Sequence, residues 1–260
     1  YNRRSLDHFV AKTWFYYQQA AERAGQLHDN EVYSAMMQAL RTATLRNDFE
    51  TQSMLITLLL RTLVETNRVG MAVNLISKTS FQENRASNSL AARYYYYLAR
   101  ISAIELDYST AFEQITAAIR KVPYTPAATG FLQTANKLSV LVELLTGDIP
   151  PRKAFGSKEQ PELVGPLSPY LALAKAVRAG DVAQFEQAIS EHSAAFKHDG
   201  NLSLAKRLRQ NVIKTGIRVI SLTYSKISLK DVCIKLGLDS EENAEYIVAK
   251  SIRDGVIEAT

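Results

Sequence analysis

Apolar positions recur at i, i+3, i+4 spacing through most of the chain, and the polar breaks between these stretches share a local form. Four breaks carry similar tripeptides: Asn67-Arg68-Val69, Leu106-Asp107-Tyr108, Gly147-Asp148-Ile149 and Gly180-Asp181-Val182. Their starts lie 39, 41 and 33 residues apart, close to the period of helix–turn–helix repeats of the tetratricopeptide kind. The second unit shows the pattern best. Tyr95, Leu98 and Ala99 share one face of a first helix, Ala111, Ile115 and Ala118 line a second, and Pro123 ends it. The small residues at 111 and 118 predict a close approach of the paired helices. Leu59, Leu60, Ala72, Ile76 and Thr79 occupy the matching places in the first unit, and Ala172, Leu173, Phe185, Ile189 and His192 in the fourth. The third is a half-repeat: Phe131 to Thr146 reads as a first helix, and Pro150-Pro151 stops a second from continuing.

Upstream, residues 6–25 and 31–47 predict a further helical hairpin, with Phe9, Trp14, Tyr17 and Ala21 on one helix and Val32, Met36, Ala39 and Leu40 on the other. Pro150 to Pro169 holds five of the seven prolines and reads as a loop. From Leu202 the texture changes. Leu204, Leu208, Val212 and Ile220 mark one long helix bearing Lys206, Arg207, Arg209, Lys214 and Arg218 with no acid among them. Ser228 to Asp231 reads as a capping box, Ile227 and Val232 as a hydrophobic staple and Gly237 as a C-cap, which predicts a helix over 229–236. A second helix over 241–253 stops at Gly255, and Val256-Ile257-Glu258-Ala259 follows as a short strand. Helix, short helix, turn, helix and strand is the order of a winged-helix module that ends inside its wing. The expected fold is therefore all-α: a tetratricopeptide-like superhelix over 1–200, then a winged helix over 201–260 with a small β element at its C-terminus.

Composition narrows the function. Eleven glycines and seven prolines in 260 residues argue against a many-stranded β fold, and 47% apolar with 22% charged residues is a globular balance. The strongest apolar run, Met54 to Leu60, is far shorter than a bilayer span. The start Tyr1-Asn2-Arg3-Arg4 reads as a domain from inside a longer protein. One cysteine, Cys233, excludes an internal disulfide and suits a reducing compartment. The four histidines are scattered without metal-ligand spacing, and neither phosphate-cradling glycine motif occurs, so no catalytic residue, cofactor or metal is assigned. Net charge is +5, an excess of two over residues 1–200 and three over 201–260. That mild excess is compatible with an acidic partner without demanding one.

Three stretches carry a likeness to a known family. Arg207 to Leu222 (RLRQNVIKTGIRVISL), Ile227 to Asp231 (ISLKD) and Tyr246 to Ala259 (YIVAKSIRDGVIEA) resemble the PCI domain. Arg41 to Arg46 and Val142 to Pro150 extend the likeness to the PCI subunits of the proteasome regulatory-particle lid, so that it covers nearly the whole chain. The resemblance implies a helical-repeat superhelix capped by a winged helix, and a non-catalytic scaffold in ubiquitin-dependent degradation, cytoplasmic and nuclear. It also implies partners: other PCI-domain lid subunits, joined side by side through their winged helices, and a small, disordered, acidic lid component. The family's C-terminal helical tail has no counterpart in these residues.

Two candidate sites follow. The edge Val256, Ile257 and Glu258 offers unpaired backbone groups to a neighbouring sheet. Helical spacing on the first helices selects Arg61, Arg93, Tyr96, Tyr97, Arg100 and Lys137 as a basic, aromatic groove for the acidic partner. The plainer reading pairs these cations with Glu65, Glu105 and Glu113. A nucleic-acid adaptor using the basic 206–218 helix is the alternative function, opposed by Asp239, Glu241, Glu242 and Glu245 at the start of the would-be recognition helix. Cys233 and His192 read as structural, and carboxylate pairs such as Glu241-Glu242 as helix N-terminal charge. Tyr94 to Tyr97 spans just over a turn, so some rings must pack. Gly216, mid-helix, predicts a kink or the close packing of another element.

Overall fold

The computed structural model describes residues 4–26, 30–123, 125–156, 161–238 and 240–258. The chain divides into two compact units, Tyr1–Ala128 and Thr129–Thr260. No strand is formed among the described residues.

Turn chemistry explains why the helices hairpin. The first residue of each tripeptide is left-handed: φ is 57° at Asn67, 74° at Leu106, 106° at Gly147 and 68° at Gly180. The next N–H then returns to a carbonyl five residues back, from Arg68 to Leu63 (2.8 Å), Asp107 to Ser102 (3.0 Å), Asp148 to Glu143 (3.1 Å) and Asp181 to Ala176 (3.4 Å). This is Schellman closure, which satisfies the last carbonyls of a helix as it reverses the chain. Asp107 and Asp181 at once cap the following helix, accepting from the N–H groups of Thr110 and Gln184. Asn47 and Asp48 form a fifth turn of the same build, with φ 53° at Asn47 and the Asp48 side chain accepting from Thr51. It falls outside the four-fold period because it follows the irregular first hairpin.

The first unit holds α1 (Arg4–Arg23), α2 (Asn30–Leu45), α3 (Phe49–Glu65), α4 (Val69–Lys78), α5 (Asn88–Ile104) and α6 (Tyr108–Lys121). α3 is its axis: Leu55, Leu59, Leu60 and Leu63 are fully buried, and α1, α2, α4 and α5 all pack on it. Twelve of its 17 residues are buried, which takes neighbours on several sides. Between α5 and α6, Ala99, Ala111, Ile115 and Ala118 are inaccessible, the close pairing that the small residues predict. α1 differs from expectation. Its buried face is Ala11, Gln18 and Ala21, whereas Phe9 and Tyr17 are 70% and 43% exposed. Small side chains bring α1 close to α3, and the Gln18 amide donates to the Leu58 carbonyl (2.9 Å) and the Thr62 hydroxyl (2.7 Å).

The second unit holds α7 (Thr129–Thr146), α8 (Val164–Ala179), α9 (Val182–Glu191), α10 (Ser193–His198), α11 (Leu202–Arg207), α12 (Arg209–Thr223), α13 (Leu229–Leu236) and α14 (Glu241–Arg253). After the Gly147 turn no α-helix forms. Pro150 and Pro151 lead only into a single 3-10 turn, Arg152–Phe155. The expected loop is shorter than predicted, since α8 already begins at Val164 with Pro166 and Pro169 inside it. Pro166 stands third, where an N–H would have no helical acceptor anyway. The long basic helix is interrupted at Leu208, which separates α11 from α12. α13 and α14 match their predicted bounds. Ser228 accepts from the Asp231 N–H at 3.1 Å and Gly237 is left-handed at φ 60°. The strand expected at 256–259 is not formed by its described residues: Val256 lies in a bend and Ile257 and Glu258 are irregular, with no second strand to pair them. Ala259 lies outside the described residues.

Gly216 is explained by packing. A Cβ there would stand 2.6 Å from the Gly180 carbonyl oxygen and 2.7 Å from Leu236 Cδ2. The backbone of α12 thus lies directly on the α8–α9 turn, beside α13.

Candidate functional site

Within the first unit, α3 and α5 bring five of the six groove residues around one ring. Arg61, on α3, donates through Nη2 to both carboxylate oxygens of Glu22 on α1, at 2.7 and 2.8 Å, and its Nε is buried without a partner. On α5, Tyr96 is only 6% exposed, and its ring meets that of Tyr97 edge-on with centroids 5.3 Å apart. Arg100 donates to the Tyr96 hydroxyl at 3.2 Å. Arg93 is exposed, its guanidinium 5.3 Å from the centre of the Phe15 ring.

Electrostatics tie these groups together. Burial, opposed by Arg61 and Arg93, pushes the Tyr97 phenol up to about 12. Burial works against the charge on Arg61 and Arg100, yet both are held above the ordinary arginine value. Tyr97, Glu22 and Glu65 do this for Arg61, and Tyr96, Glu65 and Tyr97 for Arg100. Two carboxylates therefore sit among the cations, and Arg93 is the cation most open to an outside ligand. With both tyrosine rings largely covered, what this surface presents to an outside carboxylate is the Arg93 guanidinium. Glu22 is the residue sequence reasoning missed, because it lies 39 positions from Arg61 with no local signal.

Lys137 belongs to the other unit. Its Nζ lies 2.8 Å from Asp199 Oδ1, and the two side chains are 17% and 10% exposed. Tyr170 donates its hydroxyl to Asp199 Oδ2 at 2.8 Å, and the Asn201 amide donates to Tyr170 at 3.1 Å. A lysine held in such a network works as a core pin. The neighbouring rings of α5 are likewise engaged: Phe81 stacks on Tyr94 at 3.9 Å, and Tyr95 donates to Glu83 at 2.7 Å.

In the second unit, Val256 and Ile257 are half-buried and Glu258 is exposed, and the Val256 N–H returns to the Ser251 carbonyl at 2.9 Å. The cations of α12 are partly engaged, Arg209 with Glu186 at 3.3 Å and Lys214 with Asp254 at 3.8 Å. Glu241, Glu242 and Glu245 are exposed on α14, and Asp239 lies outside the described residues. The Cys233 thiol donates to the Leu238 carbonyl at 3.1 Å, and half-buried His192 stands edge-on to Phe196. Among the described residues no group of three His, Cys, Asp or Glu could hold a metal ion, and no helix is long and apolar enough to cross a membrane.

Comparison with known proteins follows this architecture. Residues 1–174 match the family model described as PSMD3-like, N-terminal TPR repeats, and residues 188–260 match the PCI domain. The chain is 53% identical over 260 residues to the probable 26S proteasome regulatory subunit rpn3 of Schizosaccharomyces pombe, covering all of this chain and 51% of that one. It is 47% identical over 267 residues to 26S proteasome regulatory subunit RPN3 of Saccharomyces cerevisiae, covering all of this chain and 50% of the relative. With the probable 26S proteasome non-ATPase regulatory subunit 3 of Anopheles gambiae it shares 49% over 259 residues, all of this chain and 51% of that one. The chain spans about half the length of the curated relatives it matches. By its repeats and by the domain that follows them, the chain belongs to the PSMD3-like family of TPR-repeat proteins with a PCI domain.

Proposed function

We propose that the chain is a non-catalytic scaffold segment of a subunit of the proteasome regulatory-particle lid, acting in ubiquitin-dependent degradation in cytoplasm and nucleus. The observation that carries this reading is its end-to-end similarity, at 47–53% identity, to relatives named as 26S proteasome regulatory subunits. In this reading residues 1–200 are the helical-repeat arm and 201–260 the winged-helix half of the PCI domain. Val256, Ile257 and Glu258 are the edge that meets a neighbouring PCI subunit. The Val256 N–H is taken by the Ser251 carbonyl, so in this role Ile257 and Glu258, which join no ladder, supply the backbone groups. The surface around Tyr97 receives the small acidic lid component, with exposed Arg93 as its first contact.

Affinity purification of the full-length protein that contains this chain tests the reading. Lid and base subunits should co-purify, and Ile257→Pro should reduce their recovery while the helical circular dichroism stays at the parent level. Recovery of no proteasome component would overturn the assignment. Recovery of the lid with unchanged incorporation of the proline variant would overturn only the edge. For the groove, Arg93→Glu is the informative change, because reversing Arg61 would also break its pair with Glu22. It should weaken an acidic peptide severalfold at low salt, an effect that added salt erases.

A further inference from the structure

The residues above lie on first helices. The second helices of the first two hairpins, α2 and α4, enclose a separate groove of about 650 Å3. Leu75 forms its buried floor, Met37 lies half-buried along α2, and Leu45 and Met71 stand 86% and 40% exposed at its margin. Thr44 and Thr79 also line it, their hydroxyl protons already donated to the carbonyls of Leu40 and Leu75 at 2.8 and 2.7 Å. Tyr33, Leu40 and Asn74 line it too, Arg41 and Lys78 stand one on each helix, both exposed, and no carboxylate lies among the lining residues.

These features specify an occupant. A volume in the range of ligand pockets, open along two helices, suits side chains projecting from a helix. Two methionines give the walls adaptable, polarizable surface. Two exposed cations without a lining acid select negative charge at the rim. We propose that this groove docks an amphipathic helix of another protein, which places bulky apolar anchors between α2 and α4 and carboxylates opposite Arg41 and Lys78. The inference uses none of the residues around Tyr97 and stands apart from the scaffold reading.

The test uses the whole chain and two fluorescein-labelled designed helices. Both carry a leucine stripe, flanked by glutamates in one and by lysines in the other. Anisotropy should show the acidic helix binding about tenfold or more tighter than the basic one. Leu45→Lys should weaken it about tenfold without unfolding, since the side chain is already in water. Arg41→Glu with Lys78→Glu should reverse the preference. Methyl NMR locates the contact: the four methionines are Met36, Met37, Met54 and Met71. Saturating acidic helix should shift Met37 and Met71 and leave Met54, which lies on α3 and does not line the groove, unmoved. Equal affinity for the two helices, no binding of either, parent-like binding by Leu45→Lys, or still resonances of Met37 and Met71 would each overturn the proposal.

Discussion

At the residue scale, the sharpest consequence concerns a glycine with no room above it. Helix propensity alone makes Gly216→Ala stabilising by about 1 kcal/mol. Contact with the Gly180 carbonyl oxygen and Leu236 reverses the sign, because added volume in a tight contact costs about 1–3 kcal/mol. Urea denaturation should therefore find Gly216→Ala less stable than the parent. Gly180→Ala should be worse still, since it adds a left-handed φ of 68° to a Cβ 2.5 Å from the Gly216 backbone. A second consequence is pH dependence. Hydrogen bonds from Lys121 and Tyr95 hold the Glu83 carboxyl below its ordinary value. A depressed folded value means that the stabilisation is present above the unfolded carboxyl pKa, near 4.3, and is lost as pH falls through the folded one. Glu83→Gln should flatten this acid limb of a stability–pH curve by lowering its neutral side, only slightly since the group is exposed, and leave stability below the limb unchanged.

At the element scale, the legible features were those whose cause is local. The left-handed residue followed by aspartate could be read at 106–107, 147–148 and 180–181, and the Ser228 and Gly237 caps bounded α13, because each signal acts within a few residues of itself. The misreadings share the opposite property. Phe9, Trp14, Tyr17 and Ala21 read as the packed face of α1; Ala21 is buried and Trp14 packs on the core, but Phe9 and Tyr17 are exposed where Ala11 and Gln18 are buried, and hydrophobicity alone does not reveal which side a distant helix will take. Prolines at 166 and 169 read as loop, although Pro166 falls in the first turn of α8, where no helical bond is lost, and Pro169 is carried inside the helix. The partners of Arg61 and Lys137 lie 39 and 62 positions away, beyond any spacing rule. The caps supply a graded test. Replacing Asp48, Asp107 or Asp181 by Ala removes a side-chain acceptor from a helix start and should cost about 1 kcal/mol each. Arg68→Ala at the equivalent place should cost much less, since Arg68 makes no capping bond. Thermal denaturation of the four variants measures the difference.

At the scale of the whole molecule, each compact unit has its own buried centre, α3 with its neighbours in one, and Leu138, Tyr170, Phe185 and Phe196 in the other. Leu59→Ala, at a fully buried site, should cost about 2–5 kcal/mol. Hydrogen-exchange mass spectrometry should show protection falling through α1 to α6 while α8 and α9 keep parent rates. A uniform loss across the chain would mean that the two units unfold as one.

The enclosure of α3 also has a meaning in time. Twelve of its 17 residues are buried in the finished fold, and the helix that covers one side, α5, ends at Ile104, 39 residues after α3 ends at Glu65. A ribosome adds about 5–20 residues each second, so for about 2–8 s of synthesis the central helix of the first unit exists without α5 beside it. α5 and α6, by contrast, are joined by three residues and close on each other as soon as both are made. The nascent chain is therefore most exposed to aggregation, and most in need of a chaperone, between the completion of α3 and the arrival of that hairpin.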